Sequence, residues 1–455
     1  MKKNECDAII IGFGKGGKTL AAKLGASGKK VALAEMDSNM YGGTCINVGC
    51  IPSKSLITSA AKADPRAPEA EKAAAFRQAV EEKRRLTAML RKKNFDKLDK
   101  MENVTVYDGH ARFVGAHQVE VTGEKGAFLL ESGQIFINTG STARIPPIEG
   151  IRETPGVYTS AGLMDVDVLP RRLVVIGGGY IGLEFASMFA DFGSQVTVLQ
   201  DTGDFLPRED EDVAQAIRAV LEAQGISLRF HAKTQKVERG AQGPVVTADV
   251  EGAVQRFEAD AVLVATGRVP NTQGLNCEAA GVQLTPRGAV QVDEQLRTTA
   301  PGIWALGDVN GGAQHTYVSL DDFRVVWSQL SGGKPYTTAD RRNVPYSVFL
   351  HTPYARVGLN EREARAAGYD VRVMKMPAAA IPKAQVLRAT DGLLKAVVDA
   401  GTGKILGVML LCSESYETIN VVKLAMDLGA PYTALRDQVF THPTMTEALN
   451  DLFSL

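Results

Sequence analysis

Ala8-Ile9-Ile10-Ile11-Gly12-Phe13-Gly14-Lys15-Gly16-Gly17 is a short apolar run that breaks into a Gly-x-Gly-x-x-Gly turn. Four consecutive apolar residues suit a strand buried on both faces. In such a turn Gly12 permits the tight bend and Gly14 lets backbone amides approach a pyrophosphate. Gly17 lets the next helix pack against the strand, and the helix N-terminus favours the phosphate charge. A helical stretch follows, then a second apolar run, Val31-Ala32-Leu33-Ala34-Glu35, whose terminal carboxylate suits the hydroxyls of an adenosine ribose. The pattern recurs downstream. Leu173-Val174-Val175-Ile176 leads into Gly177-Gly178-Gly179-Tyr180-Ile181-Gly182, a helix-like stretch, and Val196-Thr197-Val198-Leu199-Gln200. The residue read as ending the second strand lies 18 positions past the third glycine in each copy (35 − 17 and 200 − 182). One such motif is weak evidence. Two in one register predict an α/β chain with two Rossmann-like dinucleotide-binding domains, with Gly177, Gly179 and Gly182 serving the second site.

Between the two copies lies Gly42-Gly43-Thr44-Cys45-Ile46-Asn47-Val48-Gly49-Cys50-Ile51-Pro52-Ser53-Lys54, which sets two cysteines five positions apart. Two thiols that close can form a disulfide made and broken during turnover. A structural disulfide and half of a zinc site are the bland alternatives. No Cys-x-x-Cys partner exists for the zinc site.

The chain has 455 residues, enough for about three domains. Net charge is −1, so there is no basic footprint for nucleic acid. Lys2 and Lys3 precede an apolar run too short for a secretory signal, and no run approaches a membrane span. These readings place the protein in the cytoplasm, where a close cysteine pair is more often catalytic than structural. Cys6, Cys277 and Cys412 read as small buried hydrophobes. No histidine spacing suggests a metal site.

Residues 66–101 read as one long polar helix with a solvated face. Ile135-Phe136-Ile137-Asn138-Thr139-Gly140 and Ala261-Val262-Leu263-Val264-Ala265-Thr266-Gly267 are matching strand ends that close on Thr-Gly. Ile303-Trp304-Ala305-Leu306-Gly307-Asp308 is a further strand ending in Gly-Asp, and after Pro345 no glycine motif recurs.

These landmarks, in this order, resemble the FAD-dependent pyridine nucleotide–disulfide oxidoreductases over the full length. They also include Thr266-Gly267-Arg268-x-Pro270-Asn271 and His442-Pro443-Thr444-x-x-Glu447. The resemblance implies an FAD domain beginning in 1–150, an NAD(P) domain over 151–270, a central segment over 271–341 and an α+β dimerisation domain over 342–455. Within the family the chain resembles the RclA group of bacterial flavoproteins. That resemblance rests on Tyr41 to Lys54, Ser319 to Arg324, Asn343 to Phe349, Ala380 to Ala384 and Arg436 to the carboxyl end.

The family resemblance implies that Cys45 and Cys50 form the redox-active disulfide, Cys50 by the flavin and Cys45 facing substrate. It implies that Lys54 sits by the flavin and pairs with Glu184. His442 and Glu447 would be the acid–base pair, reaching the disulfide of the other subunit of a homodimer. Gly43, Thr44, Thr139, Gly140, Gly267, Gly307 and Asp308 would help hold cofactor, with Asp308 on the ribityl chain. Gln200 replaces the acid expected for NAD, and no arginine fills the NADP positions Asp201 and Pro207, so NADH is favoured with some use of NADPH. His315 and His351 could lie near the flavin. The last cysteine is Cys412, so the carboxyl-terminal cysteine pair of mercuric and large thioredoxin reductases is not expected. The implied activity is NAD(P)H-dependent reduction of a small oxidant, hypothiocyanous acid. Dihydrolipoyl dehydrogenase, a Cu(II) reductase and a redox sensor are the alternatives.

Overall fold

A computed structural model describes residues 2–455. The chain divides into two compact units. The first comprises residues 1–56, 78–144 and 267–341, and the second 57–77, 145–266 and 342–455.

The centre of the first unit is a five-stranded parallel sheet ordered Ile303–Ala305, Ile135–Ile137, Ala8–Ile11, Val31–Glu35 and Val104–Asp108. Ala8–Ile11 is buried throughout, as its unbroken apolar text requires. Helix Lys15–Ala26 follows the glycine turn and packs Leu20, Ala21 and Leu24 inward. A strand the sequence reading did not place, Lys2–Glu5, pairs parallel with Phe128–Glu131 in a separate four-stranded sheet.

The second unit repeats the architecture. Its parallel sheet runs Val157–Tyr158, Ala261–Val264, Arg172–Ile176, Gln195–Leu199 and Ser227–Arg229. Here the second strand of the motif ends at Leu199, so Gln200 is the first residue beyond it rather than its last. A five-stranded antiparallel sheet over residues 346–411 forms the other core of this unit, covered by helix Ser415–Asp427. The polar helix spans Glu69–Asp99, three residues shorter at its start and two at its end than the charge pattern predicts.

The two glycine turns match in detail. Gly12 has φ +101° and Gly177 φ +107°, a region L side chains rarely adopt. A Cβ on Gly12 would stand 2.4 Å from the Asn138 carbonyl, and one on Gly177 2.6 Å from that of Ala265.

The second unit also buries a charge cluster. The side chain of Glu209 is fully buried. Its Oε1 accepts from the Tyr180 and Tyr346 hydroxyls, and its Oε2 from the Tyr354 hydroxyl at 2.5 Å. The Arg356 guanidinium completes the set at 3.3 Å. Burial is tolerable because every lone-pair direction of the carboxylate meets a donor.

Candidate active site

Cys45 lies in the short helix Thr44–Asn47, and Cys50 opens the helix Cys50–Ala60. Gly49 lets the chain double back between them: a Cβ there would lie 2.9 Å from the Thr44 carbonyl oxygen and 3.3 Å from the Cys45 Cα. Cys45 and Cys50 are both free cysteines, and Cys50 is the neighbour that acts most strongly on the Cys45 thiol. Asn47 braces the segment, its Nδ2 donating to the carbonyls of Tyr41 and Gly43 at 3.0 Å each. Arg91 donates to Asn47 Oδ1 at 2.9 Å. The hydrogen bond to Cys50 and then burial push the Cys45 thiol well above its ordinary pKa, while the Thr316 hydroxyl and Lys18 act against them. Thr316 Oγ1 also stands 3.6 Å from Cys50 Sγ.

The thiol segment rests on the first glycine turn. A Cβ on Gly43 would stand 2.7 Å from the Gly14 Cα, so the two backbones touch. Gly14 is the N-cap of helix Lys15–Ala26 and has no side chain of its own to cap it. Glu35 is held beside it, accepting from the amides of Phe13 and Met36 at 2.9 Å each. Burial raises its carboxyl pKa. Asn138 accepts from Gly17 N at 2.9 Å and donates to the Leu306 carbonyl at 2.7 Å. Asp308 follows, its carboxylate accepting from Ser141 Oγ at 2.6 Å, and Arg268 donates to that same hydroxyl. Thr139 and Gly140 are locked to Asn271, the Thr139 hydroxyl donating to its carbonyl at 2.7 Å. Gly267 has φ +109° and leaves open space where a Cβ would be.

Helix Thr316–Leu330 reaches all three features. Thr316 meets the thiols. Ser319 Oγ accepts from Gly16 N at 3.1 Å, and Asp322 accepts from Gly307 N at 2.7 Å. Sequence reasoning quoted this helix but assigned these residues no role. The only signal is their spacing of three, which keeps them within about 120° of the helix circumference. His315, just before the helix, stacks on Tyr317 at 4.9 Å, and burial lowers its pKa against the pull of Asp308.

In the second unit, Gln200 Oε1 accepts from Gly178 N at 2.9 Å while its Nε2 donates to Thr202. A Cβ on Gly179 would meet nothing within 4 Å, so packing does not demand glycine there and space remains for a phosphate. Glu184 is buried and accepts from Phe349 N at 2.8 Å. Lys54 belongs to the first unit, one turn past Cys50. His442 Nδ1 lies 3.0 Å from Glu447 Oε2, with the imidazole largely exposed. Glu447 Oε1 also accepts from Thr444 N at 3.2 Å.

His351 belongs to the second unit, where its Nδ1 lies 3.0 Å from Asp191 Oδ1. That hydrogen bond raises its pKa above the ordinary 6.5. The charged pair therefore stabilises the fold fully below the unfolded value, and the gain is lost as pH rises through the folded one. His351→Gln is expected to lower the melting temperature at pH 5.5, with the deficit closing at pH 9. A deficit that grew with pH would contradict this.

The glycine-built helix terminus at Gly14, the carboxylate of Glu35 and the open face of Gly179 suit two dinucleotides. The class of protein follows: residues 6–322 match the model for pyridine nucleotide-disulphide oxidoreductases, residues 344–453 match that family's dimerisation domain, and the chain belongs to this family. It is an oxidoreductase, and the family uses FAD and NAD(P)H. The chain is 48% identical to the probable pyridine nucleotide-disulfide oxidoreductase RclA of Escherichia coli K12, over 99% of both chains. It is 33% identical to a mercuric reductase of Staphylococcus aureus over 98% of this chain and 82% of that one. Identity to a dihydrolipoyl dehydrogenase of Thermus scotoductus is 34%, over 97% and 95%. The structure of a Cu(II) complex of the HOCl-induced flavoprotein disulfide reductase RclA from E. coli matches with a TM-score of 0.93, covering 99% of both chains. No helix among the described residues is long and apolar enough to cross a membrane.

Proposed function

We propose that the protein is an NAD(P)H-dependent reductase of a small oxidant, hypothiocyanous acid, acting through Cys45 and Cys50 in the cytoplasm as a homodimer. The observation that carries this reading is the pair of free cysteines, Cys45 and Cys50, brought together by the turn at Gly49 in a segment whose backbone rests on the Gly14 turn. FAD, when bound, would supply the two-electron chemistry that links NAD(P)H to the disulfide. Residues Gly12, Gly14, Gly17, Glu35, Gly43, Thr44, Thr139, Gly140, Gly307 and Asp308 would hold it, and Gly177, Gly179, Gly182, Gln200 and Gly267 would serve the nicotinamide dinucleotide.

The chain's own chemistry then runs in two displacements. Cys45 thiolate attacks the sulfur of hypothiocyanous acid, forming a Cys45 S–S bond and releasing hydroxide, which is protonated to water. Cys50 thiolate next attacks Cys45 Sγ, thiocyanate leaves with the bonding pair, and the Cys45–Cys50 disulfide is restored. His442, with Nδ1 held by Glu447, would supply the proton through Nε2, and in a homodimer it would serve the partner subunit's thiols. The match to a dimerisation domain supports the homodimer, as do the exposed apolar residues Leu424, Leu428 and Val439 on that domain.

NAD(P)H oxidation measured against hypothiocyanous acid, lipoamide, oxidised glutathione and Cu(II) tests the reading. Fast turnover of hypothiocyanous acid is expected, and turnover of lipoamide alone would overturn it. The Cu(II) complex of the E. coli relative favours metal reduction as a second reading, which sole turnover of Cu(II) would establish. Gln200 is neutral, so NADH is preferred without NADPH being refused. Gln200→Glu is expected to cut kcat/KM for NADPH about tenfold by repelling the 2′-phosphate. An unchanged NADH/NADPH ratio would remove Gln200 from that site.

A further inference from the structure

Lys18 lies one turn into helix Lys15–Ala26, directly after the third glycine of the first motif. Its Nζ donates to the Gly42 carbonyl at 3.2 Å, three residues before Cys45. The approach is enforced by backbone, since Gly43 and Gly14 touch without side chains between them. Lys18 is partly buried, yet among the described residues it forms no ion pair with a carboxylate. A lysine withdrawn from water without a counter-charge is costly, and such a cost usually marks a role. The charged groups facing it are Lys15 and Lys97, both repulsive, and Cys45. Cys45 in turn is faced by Cys50, Thr316 and Lys18.

We propose that Lys18 is a positioning residue for the redox thiols: its ammonium is the counter-charge that stabilises the thiolate of Cys45. This rests on the reading of Cys45 as the attacking thiol. Beside the contact of Lys18 with the Gly42 carbonyl, the electrostatics of the pair agree with it from both sides. The neighbouring thiol and burial both oppose ionisation of Cys45, so an attacking thiolate needs a cation nearby. Burial, with Lys15, pushes Lys18 down to about 8, and the charge of Cys45 is what works to keep it protonated. Each charge favours the other, so Lys18 supplies in the resting fold what a lone lysine on a helix surface could not.

The test is the pH dependence of iodoacetamide alkylation of the reduced holoenzyme, with the labelled cysteine identified by mass spectrometry. In Lys18→Met the alkylation inflection for Cys45 is expected to move up by about one pH unit, so that labelling at pH 7 slows about tenfold. Lys18→Arg is expected to keep the parent profile. The flavin absorbance spectrum of each variant reports folding and FAD retention independently of the thiol. An unshifted profile in Lys18→Met with FAD retained would overturn the inference and leave the proposed function standing. Equal loss of FAD from both variants with an unshifted inflection would also overturn it, making Lys18 a dinucleotide anchor instead. Labelling that fell on Cys50 in the parent enzyme would overturn the reading of Cys45 as attacking thiol, and this inference with it.

Discussion

Cys45→Ser is expected to lose at least about 1,000-fold in reduction of hypothiocyanous acid while FAD stays bound. A serine hydroxyl keeps the volume but is neither ionised near neutral pH nor able to close a disulfide with Cys50. Binding should survive because the contact between the thiol segment and the first glycine turn is made by Gly43 and Gly14, not by the Cys45 side chain. The bracing of the segment is likewise independent of sulfur, running through Asn47 and Arg91. Anaerobic addition of NADH should therefore still bleach the flavin of the variant, with electrons going no further. Retention of more than a tenth of the parent turnover would sink the disulfide mechanism. Loss of flavin from the purified variant would show that the segment depends on the sulfur it carries.

The largest expected effect on stability is that of Glu209→Ala, about 3–5 kcal/mol. The substitution takes one of two carboxylate partners from the buried Arg356 guanidinium and removes the acceptor of three tyrosine hydroxyls. Arg356 would keep the Arg208 carbonyl at 2.9 Å and the Glu363 carboxylate, which partly offset the loss. Glu209→Gln keeps one carbonyl acceptor and should cost less than Glu209→Ala. Chemical denaturation of the two variants checks the order, and a Glu209→Ala cost below about 1 kcal/mol would show that the cluster relaxes around the gap.

Much of the fold was legible because its signals are local. An apolar run breaking into spaced glycines is a backbone requirement, and the backbone of Gly12 and Gly177 repeats it nearly angle for angle. The thiol pair was legible for the same reason, since four intervening residues with Gly49 among them can double back. What stayed hidden depends on contacts distant in sequence. Asn138 ties the amide of Gly17 to the carbonyl of Leu306, and nothing around Asn138 announces either partner. Lys18 reads as one more helix lysine until Gly42 is set beside it. Strand Lys2–Glu5 escaped notice because its partner lies over 120 residues away and its text is mostly charged. Gln200 was misplaced by one residue, the usual uncertainty of a strand end.

Helix Thr316–Leu330 also sets a rule about length. Its residues 316, 319 and 322 touch a sulfur, the Gly16 amide and the Gly307 amide, each from a fixed angle around one axis. Adding or removing a single residue between the first and last would turn one end by about 100° against the other. Point substitutions along this helix can be absorbed one contact at a time, whereas an insertion or deletion would break register with every partner beyond it. The stretch from Thr316 to Asp322 should therefore keep its residue count among enzymes built on this plan, even where its side chains drift.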